Sequence, residues 1–482
     1  MRDISHAALS SLHAKFGGEV FAPSDPRFGA ARAAAIWNGD IQRQPALIAR
    51  PASADDVVTA LAFARAEGLD VSVRGGGHAF AGHGVADGAV MIDLGAMKHA
   101  TLDAAARRVR CGGGATWADV DAATSPRGLA VTGGFISHTG VAGLALGGGF
   151  GWLTRMMGMT CDNLVSAQVV TADGRVVAAS ANDNPDLFWA LRGGGGNFGV
   201  VTEFEFALRQ VAPMANLGMF FWRPEDAREA LQFARNYLHD VPRDVGGLIA
   251  GMSAPPAPFV PEAFHGATGI AVLLASFGTM REHDALVAPL RKLAPAFELV
   301  TPIPYVDLQQ MQNDTAPWGA RAYEKALYLD DLSDDVIDIT IEHLPRKTSP
   351  LAFVPIFPLG GAYADVAEDA TAFGGSRRSR WIYNIATVCP DPSWLPADRA
   401  WVRDYWSALR PHASGDGGYI NFLAEDDDAR TRATYGGKYQ RLAAIKSVWD
   451  PDNVFRHNAN IKPVTVVPDP RPVAGNSPAP TT

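Results

Sequence analysis

Cysteine is scarce in this chain of 482 residues, which has only Cys111, Cys161 and Cys389. So few and so widely spaced cysteines exclude a disulfide framework and a CxxC-type zinc site. No apolar run reaches the roughly 18 residues that a membrane-spanning helix requires. The first residues also lack the charged-then-apolar pattern of a secretory signal. The sequence therefore predicts a cytoplasmic protein that has no membrane partner and no metal site.

An excess of positive charge is missing as well. Lys and Arg total 42 against 51 for Asp and Glu, which gives a formal net charge of −9. An acidic chain without a long basic run is a poor candidate for binding nucleic acid. Apolar residues make up 47% of the chain, enough for large cores, and the length predicts roughly two to four domain-sized units or one large two-domain enzyme.

Glycine, in contrast, is abundant and clustered. The chain has 49 glycines, about a tenth of its length against a usual ~7%. Four runs contain three or more glycines: Gly75–Gly77, Gly112–Gly114, Gly147–Gly149 and Gly193–Gly196. Glycine lets a backbone N–H approach a ligand closely, and successive N–H groups form concave sites for pyrophosphate. Several such runs between strands favour a long nucleotide ligand that contacts many loops.

Two common nucleotide sites do not fit these runs. The glycines from Gly147 and from Gly193 can be forced towards GxGxxG, but neither run follows a convincing strand and opens a helix. No GxxxxGK[ST] pattern is present, so a P-loop is excluded. His78, which follows the first run, is by its sequence alone a loop histidine, a ligand contact or half of a metal pair with His83. The residues leave these three alternatives open.

Composition divides the chain into segments. We predict a glycine-rich α+β domain over residues 1–212 and a second α+β domain over 213–415, where proline and aromatic residues increase. Residues 416–462 form a C-terminal segment whose Arg430–Trp449 stretch predicts one amphipathic helix. The proline-rich tail 463–482 predicts disorder. Within the first domain, Ala52–Gly68 predicts a helix that Ser53 caps and Gly68 ends.

Five motifs occur in an order that is together very specific. They are RGGGHAFAG from Arg74, the stretch Gly140–Gly151, CDNL from Cys161, the stretch Asp186–Thr202, and a C-terminal segment from Tyr419 to Asn458. The chain thereby resembles the FAD-binding domain of the vanillyl-alcohol-oxidase superfamily. It is most similar to the berberine-bridge-enzyme-like oxidases, including the bacterial hydroxynicotine oxidases, over residues 40–210 and 415–462.

The resemblance implies an α+β, two-domain FAD-binding fold of the PCMH type, with a substrate domain built on an antiparallel sheet flanked by helices. It also implies FAD linked covalently to His78. Many members carry a second, cysteinyl link, but that position is Ile136 here, so we expect a single link and smaller substrates. The flavin contacts that the resemblance implies are Arg74, Gly75, Gly76, Gly77, His78, Ala79, Gly82, His83, Gly133, Gly134, Ser137, His138, Thr139, Gly140, Gly143, Gly147, Gly148, Gly149, Asn163, Val201, Asn421 and Asn458.

The resemblance further implies oxidation of a small alcohol, hydroxy-heterocycle, amine or sugar by hydride transfer to the flavin. Thr139 matches the site where oxygen meets the reduced flavin; because Thr is nearly isosteric with the valine of oxidases, we expect O2 as the acceptor and hydrogen peroxide as a product. A flavin dehydrogenase or oxidative cyclase that uses another acceptor is the alternative. The non-enzyme alternative is a protein that binds flavin but has lost catalytic activity.

Tyr419, Asn421 and Asn384 are the candidate catalytic residues. In relatives that oxidise alcohols and carbohydrates, the tyrosine that matches Tyr419 is the base. A free phenol has a pKa near ~10, so a cation must lower it; Arg377, Arg378 and Arg380 are the candidates, and the sequence does not choose among them. The Tyr-x-Asn spacing predicts that Tyr419 and Asn421 lie on one face of a strand, since side chains alternate. For the same reason only one of Asn384 and Tyr383 can line the pocket.

Overall fold

The structure, a computed structural model, describes residues 4–425 and 428–464. The predicted disordered tail therefore falls outside the described residues from position 465 onwards. The described chain combines helices with three main sheets, which confirms the α+β class. The α-helices are His6–His13, Phe28–Ala35, Ala54–Glu67, Trp117–Thr124, Val141–Gly147, Thr154–Met157, Pro185–Leu191, Ala227–Asp240, Met280–Arg291, Tyr305–Gln310, Asp334–His343, Leu395–Leu409, Asp428–Tyr435 and Tyr439–Trp449.

Local sequence signals set the first long helix, Ala54–Glu67. The Ser53 side chain accepts a hydrogen bond from the Asp56 backbone N–H, and Gly68 ends the helix with φ +61°. Both ends were predicted from the sequence, because serine satisfies a free N–H at the start and glycine adopts the left-handed conformation at the end. The helix packs its apolar side on the strand Leu47–Arg50 and its neighbours.

Two sheets form the glycine-rich part of the molecule. The first has four strands in the spatial order Glu19–Phe21, Leu47–Arg50, Val90–Asp93 and Val71–Arg74. The second has five antiparallel strands in the order Ala100–Asp103, Arg108–Gly112, Val200–Ala207, Leu164–Val170 and Val176–Ser180. The short strands Leu129–Ala130 and Arg209–Gln210 pair beside them. Two of the glycine runs, Gly75–Gly77 and Gly193–Gly196, follow a strand and a helix of this part and contribute to the wall of one cavity.

The second part is built on one antiparallel sheet of seven strands. Their spatial order is Phe297–Pro304, Met214–Trp222, Thr268–Ser276, Val245–Ser253, Val354–Pro358, Trp381–Cys389 and Arg321–Leu329. One face of this sheet packs on the helices Ala227–Asp240, Asp334–His343 and Leu395–Leu409. The other face meets the glycine-rich part. The predicted sheet flanked by helices is thereby confirmed, and its second face is left to form a site.

Side chains alternate across this sheet as strand geometry requires. In the strand Trp381–Cys389, Tyr383 and Ile385 belong to the helix-facing core. Ile382 belongs to the opposite core, and Asn384 points to that same side. Since only one of Tyr383 and Asn384 can face the glycine-rich part, Asn384 is the one that does.

The single helix predicted over Arg430–Trp449 is wrong. The structure has two helices, Asp428–Tyr435 and Tyr439–Trp449, joined by the 3-10 turn Gly436–Lys438. Gly436 has φ +50°, outside the right-handed helical region. Glycine adopts this conformation at little cost, and two consecutive glycines weaken a helix interior.

Within residues 4–425 and 428–464, no helix is both long enough and apolar enough to cross a lipid bilayer.

Candidate flavin and substrate site

One cavity of about 370 Å³ lies between the glycine loops and the free face of the seven-stranded sheet. Its volume falls in the range of about 300–1,000 Å³ typical of small-molecule sites. The loop from Arg74 to Gly84, the helix from Val141 and the C-terminal segment line one side. The strands Arg321–Leu329 and Trp381–Cys389 line the other side. A ligand in this cavity would therefore contact both halves of the protein.

His78 lies in the cavity wall and is held by its neighbours. Its ring stacks on Trp37 with centroids 4.6 Å apart, and its Nε2 atom lies 3.0 Å from Nδ1 of His138. Burial, helped by the nearby His138, lowers the pKa of His78 to about 3. The imidazole is therefore neutral at physiological pH and keeps a nitrogen lone pair for bonding.

Arg74 fixes the loop that carries His78. Its guanidinium donates to Asp93 at 3.2 Å, to the Ala35 carbonyl at 3.0 Å and to the Gly76 carbonyl at 3.2 Å. Burial lowers the pKa of this guanidinium, but it stays charged since an arginine starts above 12. The contacts hold the first glycine run against the edge of the four-stranded sheet.

Close backbone contact explains one pair of glycines in the cavity wall. A Cβ atom on Gly76 would come within 2.3 Å of the Gly140 Cα. The two loops that bear these residues therefore touch each other only because both lack side chains.

Two other glycines in the wall have free space in front of them. A Cβ atom on Gly143 or on Gly196 would meet nothing within 4 Å among the described residues, although both line the cavity. The Oδ1 atom of Asn458, also in the lining, is buried with no hydrogen-bond partner in the described chain. Bare glycine backbone and an unsatisfied amide oxygen are what a bound nucleotide cofactor needs, so these residues fit FAD.

The structure places the predicted flavin contacts in two layers. Those that line the cavity are Arg74, Gly75, Gly76, Gly77, His78, Ala79, His83, Gly134, Thr139, Gly140, Gly143, Val201, Asn421 and Asn458. Those that lie outside the lining are Gly82, Gly133, Ser137, His138, Gly147, Gly148, Gly149 and Asn163.

Several residues of the outer layer support the lining. His138 holds His78, and the Ser137 backbone N–H donates to Asn313 at 3.0 Å. The Asn163 amide donates to the carbonyls of Met157 and Met159 at 3.0 and 2.8 Å. Asn163 therefore organises its own turn through its amide N–H groups.

Tyr419 and Asn421 meet in the cavity wall, although not as strand neighbours. Residues Ile420–Phe422 form a 3-10 turn that Tyr419 precedes. The turn lets the Asn421 amide donate to the Tyr419 hydroxyl at 2.9 Å, and the Gly149 N–H donates to the same oxygen at 2.8 Å. The predicted strand is wrong, since a 3-10 turn takes its place. In a strand the two side chains would share a face, but the extended backbone would hold them too far apart for a direct hydrogen bond.

None of the three candidate arginines, Arg377, Arg378 and Arg380, is among the main groups that shift the pKa of Tyr419. Arg377 is buried and pairs with Asp162 at 2.7 Å, while Arg378 is exposed. Burial raises the pKa of Tyr419 far above its ordinary value, and the two N–H donors offset only part of that effect. The hydroxyl is therefore neutral at physiological pH and acts as a hydrogen-bonding group.

Glu324 is the group in the cavity that sequence reasoning missed. It lies in the strand Arg321–Leu329, is 1% exposed, and its Oε2 atom accepts a hydrogen bond of 2.9 Å from the Asn384 amide. Burial raises the pKa of Glu324 to about 8. The sequence does contain a signal for Glu324. In a strand, Ala322, Glu324 and Ala326 share one face, so Glu324 is an acidic residue on an otherwise apolar face.

The rest of the sheet side is aromatic and aliphatic. Phe135 stacks on Phe357 with ring centroids 5.0 Å apart, and Phe150 lies 4.8 Å from Phe357 and 5.0 Å from Tyr419. Phe422 closes this wall 4.9 Å from Tyr419. The polar groups Glu324 and Asn384 therefore stand in an apolar surface.

None of the chain's three cysteines lines the cavity. Cys111, Cys161 and Cys389 are buried and unpaired, and each packs in a different hydrophobic cluster. Ile136 lines the cavity instead, at the position where many family members carry the cysteinyl link.

Comparison with known proteins agrees with this geometry. Residues 45–180 match the family model described as "FAD binding domain", and residues 418–462 match the model described as "Berberine and berberine like". The chain is 30% identical to an FAD-linked oxidoreductase of Dictyostelium discoideum over 432 residues, which cover 89% of this chain and 91% of that protein. It is 31% identical to the (R)-6-hydroxynicotine oxidase of Paenarthrobacter nicotinovorans over 470 residues, 92% of this chain and 97% of that one.

Solved structures show the same fold. The structure of 6-hydroxy-D-nicotine oxidase from Arthrobacter nicotinovorans superposes with a TM-score of 0.81 at 27% identity, covering 93% of this chain and 98% of that chain. The xylooligosaccharide oxidase from Myceliophthora thermophila superposes with a TM-score of 0.83 at 22% identity, covering 95% of this chain and 100% of that chain.

Proposed function

This chain belongs to the FAD-linked oxidoreductases of the berberine-bridge-enzyme-like family, and we propose that it is an oxidase with FAD linked covalently to His78. It transfers a hydride from a small alcohol, hydroxy-heterocycle or amine to the flavin and passes the electrons to O2, which yields hydrogen peroxide. FAD, when bound, supplies the two-electron acceptor of the reaction. The observation that carries the proposal is the neutral His78 imidazole in a glycine-lined wall that faces an apolar pocket.

A single covalent link is supported by the surroundings of His78. Trp37 and His138 restrict its ring from two directions, so the imidazole is positioned before the cofactor arrives. Ile136 lines the cavity and none of the three buried cysteines does, so the lining provides no thiol for a second link. The flavin would rest on the bare backbone of Gly143 and Gly196, within reach of the free Asn458 Oδ1 atom.

The apolar wall narrows the substrate class. A sugar presents several hydroxyl groups, and each would need a polar partner when buried. The wall of Phe135, Phe150, Phe357 and Phe422 provides few such partners, while Glu324 and Asn384 offer a small polar patch. A substrate with a flat apolar body and one hydroxyl or amine group fits this distribution, and the 31% identical relative is named for such a compound.

The polar groups around the reacting end have separate tasks in this proposal. Tyr419, whose hydroxyl is fixed by Gly149 and Asn421, lines the cavity and would offer a hydrogen bond to the substrate. Asn384 reaches the cavity from the sheet. Together they would hold the substrate carbon at the short separation of roughly 3–3.5 Å that hydride transfer requires.

Thr139 supports the choice of O2 as acceptor. It lines the cavity beside Gly140, and its backbone N–H is held by the Ile136 carbonyl at 3.1 Å. A small side chain here leaves room for oxygen. We expect Thr139→Leu to slow reoxidation of the reduced flavin by O2 several-fold with little effect on flavin reduction, while Thr139→Val, of nearly equal size, leaves both rates unchanged.

Anaerobic mixing with a compound panel tests the function. The panel is benzyl alcohol, benzylamine, (R)-6-hydroxynicotine and xylobiose, and the readouts are bleaching of the flavin followed by oxygen uptake and peroxide release. At least one aromatic compound should bleach the flavin, and admission of air should restore it with peroxide. Bleaching by xylobiose alone would overturn the substrate class, and bleaching without oxygen uptake would indicate a dehydrogenase.

A further inference from the structure

A buried carboxyl group faces the reacting end of the cavity without a full set of partners. Glu324 is 1% exposed, and its Oε1 atom has no hydrogen-bond partner within the described residues. The Oδ1 atom of Asn384, its neighbour across the sheet, is unpartnered as well. Buried polar atoms without partners cost stability, so these two oxygens indicate that a bound molecule satisfies them.

The pairing of two strands sets the positions of these two oxygens, Glu324 Oε1 and Asn384 Oδ1. Glu324 and Asn384 lie on the same face of adjacent strands, where Glu324 pairs in register with Ala386 and Asn384 with Ala326. The Asn384 amide donates to Glu324 Oε2 at 2.9 Å, which fixes the carboxyl plane and leaves Oε1 free. Both free atoms are acceptors when the carboxyl is ionised, so they recognise an O–H or N–H donor.

Tyr419 cannot accept a proton from the substrate. The oxygen of its neutral hydroxyl already accepts hydrogen bonds from Gly149 and Asn421. A hydroxyl has two acceptor lone pairs and one proton to donate, so no acceptor position remains on this oxygen. Tyr419 can donate a hydrogen bond to a substrate, but a proton must leave towards another group.

We infer that Glu324 accepts the proton of the substrate's hydroxyl or amine group and that Asn384 positions its carboxylate. This inference rests on the proposed oxidase function. The substrate O–H or N–H bond breaks and its proton bonds to Glu324 Oε1. The electron pair of that bond forms the new C=O or C=N bond, and the hydrogen on the substrate carbon leaves with its two electrons to the bound flavin.

The surroundings suit a base that works near neutral pH. Among the described residues, the other titratable side chains that line the cavity are Arg74, His78, His83, Tyr419, Tyr435 and His457. None of them is among the groups that shift the pKa of Glu324. Lys325, next in the strand, points away from the cavity and pairs with Glu425 at 3.1 Å. Without a cation beside it, burial holds the pKa of Glu324 at about 8, close to the working pH where general bases are most effective.

Infrared difference spectroscopy tests the ionisation without any substrate. The flavin-loaded wild type and Glu324→Gln are titrated from pH 6 to 10, with Glu298→Gln as the matched control. Glu298 is an exposed glutamate on the edge strand of the same sheet, paired with Arg291. The wild type and the control should lose a protonated carboxyl band with a midpoint near pH 8, and Glu324→Gln should lack that band. The buried Asp121 carboxyl, whose pKa burial raises to about 7, gives a separate band that remains in all three proteins. A band with a midpoint near pH 8 that persists in Glu324→Gln overturns the assignment.

Anaerobic flavin reduction by benzyl alcohol tests the chemical step. General base catalysis contributes about 10²–10⁴-fold, so Glu324→Gln should slow reduction by at least about 100-fold while the flavin stays bound. Glu324→Asp should restore part of the rate. For a base with a pKa near 8, the wild-type rate at low substrate should rise about tenfold from pH 7 to pH 9, and Tyr419→Phe should keep this pH dependence.

The outcomes separate this inference from the oxidase function. Wild-type reduction with an unchanged rate in Glu324→Gln, or pH dependence lost in Tyr419→Phe instead, refutes Glu324 as the proton acceptor and leaves the oxidase intact. If no panel compound reduces the wild-type flavin, the oxidase function fails and with it the catalytic role of Glu324. The infrared titration then reports only on its ionisation.

Discussion

The Nε2 atom of His78 lies 3.0 Å from the Nδ1 atom of His138, although the two residues are 60 positions apart in the chain. One of these nitrogens must donate a proton and the other must accept it, so each ring fixes the tautomer of its partner. Burial lowers the pKa of both rings. The pair is therefore neutral at physiological pH, with the His78 ring held at the edge of the flavin cavity.

Loss of this contact should impair attachment of the cofactor. A neutral hydrogen bond contributes about 1 kcal/mol, so His138→Ala should lower the rate of covalent FAD incorporation into the apoprotein about fivefold. His138→Gln, which can still hydrogen-bond to His78, should retain most of the rate. The measurement is acid-stable flavin per protein over time after FAD is added. Equal rates for His138→Ala and wild type would contradict the positioning role.

Gly143 tests whether the open wall holds the flavin. An alanine methyl group there meets no described atom within 4 Å, and alanine favours a helix over glycine by about 1 kcal/mol. Gly143→Ala should therefore leave the apoprotein at least as stable as wild type but weaken FAD binding, measured in the His78→Ala background where flavin exchanges. Gly29→Ala, at an exposed glycine of the helix Phe28–Ala35 that has the same free space and lies outside the cavity lining, is the control. Unchanged FAD affinity in Gly143→Ala would place the flavin elsewhere.

Glu324 should make stability depend on pH. Its pKa rises from an ordinary 4.5 to about 8 on folding, so the folded state holds a proton that the unfolded state has lost between these values. The contribution of Glu324 to the free energy of unfolding therefore falls as the pH rises from about 4.5 to 8, by roughly 5 kcal/mol at most. Glu324→Gln cannot ionise, so its stability relative to wild type should increase over this window. A pH-independent difference in denaturant titrations would contradict the buried carboxyl.

The buried ion pair between Arg377 and Asp162 joins the two halves of the protein. Their side chains are 3% and 7% exposed. Asp162→Asn would leave the guanidinium charge buried without a counter-ion, which costs about 3–5 kcal/mol. Asp365→Asn, in the exposed pair with Arg243, should change the unfolding free energy little. Equal effects of the two substitutions in denaturant titrations would show that the buried pair does not hold the halves together.

Much of the flavin side of the site could be predicted from the sequence, because its features are local. The run around His78 and the glycines after Thr139 carry their backbone requirements in consecutive residues, and the structure brings them to one cavity. The Ser53 cap and the Gly68 stop were equally local. Gly436 and Gly437 were visible too, but the apolar pattern on both sides obscured the break that they cause.

The substrate side depends on contacts between distant residues. Glu324 and Asn384 are 60 positions apart, and only the pairing of two strands brings them together. Tyr419 was identified as a site residue, but its protonation depends on burial and on the distant Gly149 N–H, which no local pattern reveals. The candidate arginines were an unreliable guide because Asp162, far along the chain, binds Arg377.

Acid precipitation of the purified protein tests the central claim most directly. Absorption spectra of the pellet and the supernatant are compared for wild type and His78→Ala, with His83→Ala as a second histidine of the same loop. Flavin absorbance should stay with the wild-type and His83→Ala pellets and move to the supernatant for His78→Ala. Flavin that remains in the His78→Ala pellet, or that leaves the wild-type pellet, would contradict covalent attachment through His78.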